Sequence, residues 1–117
     1  MPNQWSGVTV DCQDAERVAD FWSALLDRPR GPMGDGFTYL GVRDDAQPRI
    51  VFQAVPEPKR GKVRIHLDVT VDDIEAGIDE VLALGGSSLD TRFEYAEGVV
   101  VTVSDPEGHE FCLVQYY

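Results

Sequence analysis

Residues 64–71 set the pattern for the chain. Ile65, Leu67, Val69 and Val71 interleave with His66, Asp68 and Thr70, so a strand here has one apolar and one polar face. A helix is predicted immediately after it. Asp72 is placed to cap it, Glu75 to bond back, and Ile74, Ile78, Val81 and Leu82 to form its apolar stripe. Gly85 and Gly86 end it, because glycine enters the left-handed conformation without a Cβ penalty. The helix covers the apolar strand face and leaves His66, Asp68 and Thr70 on the other.

Earlier in the chain, residues 7–12 alternate in the same way, with Val8, Val10 and Cys12 on the apolar side. Asp14 then caps a helix whose stripe is Val18, Phe21, Trp22, Leu25 and Leu26, and Pro29 stops it. Residues 30–36, with three glycines and a proline, read as a loop. Residues 37–42 and 49–55 read as strands joined by a polar turn, and residues 56–61 as a linker. Residues 87–93 form a weakly patterned strand and residues 98–104 a valine-rich one. Asp105-Pro106-Glu107-Gly108 makes a turn before a last strand over 110–117.

The two halves repeat. A shift of 59 residues places Val10 on Val69, Asp14 on Asp73, Glu16 on Glu75 and Asp20 on Asp79. Strand, cap and stripe coincide under that shift. The predicted architecture is α+β, one domain of two tandem βαβββ modules over 1–58 and 59–117. Together they would form an eight-stranded, cup-shaped mixed sheet with helices on the convex side. Gly7, Thr9 and Asp11 then become equivalent to His66, Asp68 and Thr70 on the concave side. Such a surface is the default place for a ligand.

Composition narrows the function classes. The content of 43% hydrophobic and 26% charged residues is that of a soluble globular domain. No apolar run approaches the roughly 20 residues of a membrane helix. The start lacks a basic patch before an apolar segment, so no secretory signal is read and a cytoplasmic location is expected. A net charge of −11 argues against a nucleic-acid partner. Lys59, Arg60, Lys62 and Arg64 are a local exception, read as a solvated connector or as a rim for an anionic ligand. Cys12 and Cys112 make no disulfide framework. His109, after the turn glycine, is expected at the surface, and Trp5, Tyr39, Phe52 and Tyr95 are available to stack on a ligand.

The paired βαβββ repeat, the His66-Leu67-Asp68-Val69 strand before an Asp-capped helix and the Asp105-Pro106-Glu107-Gly108 turn together resemble the vicinal oxygen chelate superfamily. That group holds glyoxalase I, bleomycin-resistance proteins and extradiol dioxygenases. The run from Val55 through Lys59, Lys62, Arg64 and His66 resembles its glyoxalase-like domain branch. The resemblance implies four positions for metal ligands, falling on Gly7, His66, Cys112 and a site near Gln53; Glu110 would serve only with a shifted register. A catalytic metal needs at least three good ligands, so neither metal nor other cofactor is expected. The resemblance therefore implies a small-molecule-binding protein of the glyoxalase/bleomycin-resistance type, taking an apolar or aromatic ligand. The candidate contacts are His66, Asp68, Gln53, Tyr39, Cys112 and Trp5. The alternative is a glyoxalase-like lyase, isomerase or dioxygenase, metal-dependent or using His66 and Asp68 as an acid–base pair. A homodimer is also implied.

Overall fold

The computed structural model describes residues 2–117. The strands are β1 (Gly7–Cys12), β2 (Phe37–Leu40), β3 (Arg49–Ala54), β4 (Asp68–Thr70), β5 (Ser87–Tyr95), β6 (Gly98–Ser104) and β7 (Glu110–Tyr116). The helices are α1 (Ala15–Leu26) and α2 (Ile74–Ala83). The fold is α+β with two mixed sheets, ordered β1-β3-β2 and β4-β7-β6-β5. Contacts group the chain into two compact units, one ending at Pro58 and one beginning at Lys59.

In the first unit, β1 runs parallel to β3, and β2 antiparallel to it. Asp14 caps α1 by accepting from the Arg17 N–H at 3.1 Å. Val18, Phe21 and Trp22 turn inward onto Val10, Cys12, Leu40, Ile50 and Phe52, all buried. Residues 30–36 make only two isolated bridges to β2, Arg30 with Leu40 and Gly34 with Phe37. Pro32 has no N–H to give and the glycines resist ordering, so this stretch stops short of a strand. Seven strands form among the described residues.

In the second unit, β4 lies parallel to β7, which pairs antiparallel with β6 and that with β5. Two details differ from the sequence reading. The central strand spans only Asp68–Thr70, and Ile65 is 77% exposed. Its first contact with β7 is the Leu67 carbonyl, which accepts from the Cys112 N–H at 2.9 Å. The α2 cap is Asp73, not Asp72, and it accepts from the Ala76 N–H at 2.9 Å. That phase buries Ile74, Gly77 and Val81, and turns Leu82 outward. The helix ends as predicted, with Gly85 at φ +98°.

Candidate functional site

Each sheet has one face under its helix and one face turned away from it. In the second unit, Val69, Leu113, Val101 and Val103 lie on the α2 side. Asp68, Cys112, Thr102 and Thr91 then form one cross-strand row on the other side, followed by Thr70, Val114, Val100 and Phe93. Asp68 and Cys112 are directly opposite each other. The floor of this face is apolar, with Val114 and Cys112 buried, while Asp68 is exposed at one side. Phe93 and Tyr95 rise at the other, 63% and 41% exposed.

His66 stands two residues ahead of β4, outside the regular strand, and is exposed. It makes no hydrogen bond to Asp68 among the described residues, so neither group orients the other as an acid–base pair. Burial pushes the Cys112 thiol up, with Asp68 adding to the rise and a hydrogen bond from Thr102 opposing it. A neutral thiol in such surroundings is a wall, not a nucleophile.

Glu110 is already committed. Its carboxylate meets Lys59 Nζ at 2.9 Å and accepts from the Val63 N–H at 3.4 Å. Burial opposes ionisation there, but the Lys59 hydrogen bond and the backbone donors outweigh it and hold the carboxyl below its ordinary range. Lys59 is therefore an anchor, and of the four clustered cations only Arg60, Lys62 and Arg64 are left as the solvated connector.

His109 is half-buried, not exposed as expected from its place after the turn. Burial lowers its pKa, against the opposing pull of Asp105 and Glu110 and with help from Lys59 and His66. The unfolded chain then binds a proton on this ring before the folded one does. The stability involved is complete above the ordinary value of 6.5 and is lost as pH falls from there through the lowered folded value. Urea midpoints at pH 7.5 and 5.5 should drop further for the wild type than for His109→Gln. Equal drops would contradict this.

In the first unit, the face away from α1 carries Thr9, Val51 and Tyr39 in one row and Asp11, Gln53 and Phe37 in the next, with Gly7 opposite Arg49. Tyr39 and Gln53 thus share a face. Trp5 does not join them. It lies before β1, is 75% exposed, and donates from Nε1 to the Gly7 carbonyl at 3.1 Å. It lines a groove of about 770 Å³ with residues 43–48, whereas Tyr39 lines a separate cavity of about 370 Å³ with Pro29 and Gly31.

The positions implied for metal ligands do not suit a divalent ion. Gly7 offers no donor, and a Cβ there would stand 2.4 Å from the Arg49 carbonyl oxygen, so the strand pairing itself demands glycine. Gln53 faces Asp11, four residues along the strand from the partner of Gly7. Among the described residues no three His, Cys, Asp or Glu side chains come together as a ligand set.

Thr102 and Phe93 were not singled out from sequence. Residues 99–103 are valine on both faces apart from Thr102, so periodicity could not say which face the threonine joined. Among the described residues no helix is long and apolar enough to cross a membrane.

Solved structures share this fold. A glyoxalase/bleomycin resistance protein/dioxygenase family enzyme from Burkholderia phytofirmans PsJN superposes with a TM-score of 0.78 at 16% identity, covering 96% of this chain and 98% of that one. A glyoxalase/bleomycin resistance protein from Albidiferax ferrireducens T118 gives 0.71 at 16% identity, covering 97% and 98%. The fosfomycin resistance protein FosX from Listeria monocytogenes, complexed with Mn(II) and sulfate, gives 0.79 at 14% identity, covering 100% and 93%. At these identities the likeness concerns the fold. No curated protein matches the chain. The sequence itself is more specific, since residues 7–114 fit the profile of the glyoxalase-like domain, and the protein is accordingly a member of that family.

Proposed function

We propose that each unit offers the sheet face turned away from its helix to a small apolar or aromatic molecule, bound without a metal ion. His66, Asp68 and Cys112 supply contacts in the second unit, and Tyr39 and Gln53 in the first. The observation that carries this reading is the face of β4-β7-β6-β5. A charged oxygen at Asp68 and a hydroxyl at Thr102 flank an apolar floor of Cys112, Val114 and Val100, with Phe93 and Tyr95 left exposed beside it. A few polar groups around apolar and aromatic surface are what a small-molecule site uses to fix orientation. The solved proteins that share the fold include bleomycin- and fosfomycin-resistance proteins, which supports a ligand-holding role of the same type.

Titrating a library of aromatic fragments against the wild type and Asp68→Ala tests it. Where Asp68 accepts a hydrogen bond from the ligand, the variant should bind about 1.5–3 kcal/mol more weakly. Unchanged affinity for every hit would remove Asp68 from the site.

A homodimer is part of the same proposal. β5 is an outer strand of its sheet, with unpaired backbone groups along one side and Leu89 43% exposed. Light scattering at tens of micromolar should give twice the chain mass, and a monomer would contradict it.

A further inference from the structure

We infer that the ligand face of the first unit holds a carboxylate, bound by Arg49. The inference deepens the proposed ligand-binding reading and rests on it. Arg49 stands at the start of β3 on the face away from α1, and its guanidinium lies 5.1 Å from the centre of the Tyr39 ring. Its Nε is buried and has no hydrogen-bond partner. A buried donor left unpaired is costly, and such groups are rare unless something absent from the free protein completes them.

Two other arginines of this unit show the contrast, while Arg17 and Arg43 are exposed to solvent. Arg28 is paired with Asp45 at 3.3 Å, and Arg30 with Asp20 and Glu16 at 2.6 and 3.1 Å. In a chain with 21 acidic residues, Arg49 meets no carboxylate within ion-pair distance among the described residues. Its opposite number across the strand pair is Gly7, which has no side chain to cover it.

The surroundings say what kind of anion fits. A guanidinium is a planar fork that matches a carboxylate with two parallel hydrogen bonds, and the Tyr39 ring packs against this one at 5.1 Å. Among the described residues of these three strands the other charge on the face is Asp11, opposite Gln53, while Arg30 and Asp45 line the cavity beside Tyr39. Four residues of strand separate Arg49 from Gln53, about 13 Å at roughly 3.3 Å per residue. An anionic group is repelled at the Asp11 end and attracted at the Arg49 end. Between them Val51 offers apolar surface for the body of the ligand, and the 42% exposed Phe37, in the same row as Gln53, extends it.

The probes are phenylacetate and its neutral isostere phenylacetamide, titrated into ¹⁵N-labelled protein while the Arg49 Nε–H resonance is followed. Phenylacetate should move that resonance in a saturable way. It should bind about ten- to a hundredfold more tightly than phenylacetamide, the range expected for a charged hydrogen bond. Arg49→Gln should abolish the difference. Equal binding of both compounds by wild type and Arg49→Gln would overturn the carboxylate assignment and leave the aromatic ligand face standing. An unmoved Arg49 resonance at saturating phenylacetate would overturn it without relying on any variant.

Discussion

Asp105→Ala should cost the protein about 3 kcal/mol, because two turn N–H groups lose a charged acceptor at once. Asp105 is 2% exposed, and its Oδ1 accepts from the N–H of Glu107 at 2.9 Å and of His109 at 3.0 Å. The main chain of the same residue closes the turn, its N–H bonding to the His109 carbonyl and its carbonyl accepting from Gly108, both at 3.0 Å. This turn sets the register in which β6 meets β7, and so places Thr102 opposite Cys112. Alanine keeps the main-chain bonds but leaves both donors facing a buried methyl group. Asn keeps an acceptor oxygen in the same place and should recover part of the loss. Urea unfolding followed by circular dichroism measures both variants. A loss under about 1 kcal/mol for alanine would mean that water replaces the carboxylate at little cost.

Trp22→Ala should cost more, about 4 kcal/mol, the middle of the range for removing a large aromatic from a packed core. Trp22 is 1% exposed and meets Phe21 edge to face, with ring centres 5.5 Å apart and planes at 84°. It is the largest fully buried side chain of the protein's described residues. Val18, Phe52 and Leu40 are buried in the same core between α1 and the sheet. The remaining tryptophan, Trp5, is exposed, so the variant's fluorescence should shift to the emission of solvated indole. A loss below about 2 kcal/mol would show that the core relaxes into the cavity.

Much of the fold was legible because the alternation of side chains and the helical stripes are long and consistent. Gly7–Cys12 and Gly98–Ser104 begin and end where the pattern placed them. The alternation over residues 66–71 also survives as alternating exposure, although regular pairing begins only at Asp68. Pairing needs a partner, and Arg64 and Ile65 precede the point where β7 supplies one. Local pattern alone does not separate Asp73 from Asp72 as the cap, since both are good acceptors, but the 59-residue repeat places the first cap, Asp14, on Asp73. The site was legible only to the extent that faces are. His66 and Asp68 share a face by period two and Cys112 enters only through the family resemblance, whereas the pairing of Glu110 with Lys59 depends on side chains 51 residues apart. Arg49 gave no signal at all in sequence. Its unpartnered Nε becomes visible only when β3 is seen against β1 and β2.

The central claim is that a small aromatic molecule lies on the sheet face that carries Asp68 and Cys112. An amide-detected NMR titration of the tightest fragment hit tests it most directly, with every residue observed at once. The shifts should cluster at Asp68, Thr70, Cys112, Thr102 and Phe93, and should saturate with a single dissociation constant. Shifts confined to the α2 side of the sheet, or to the groove around Trp5, would contradict it.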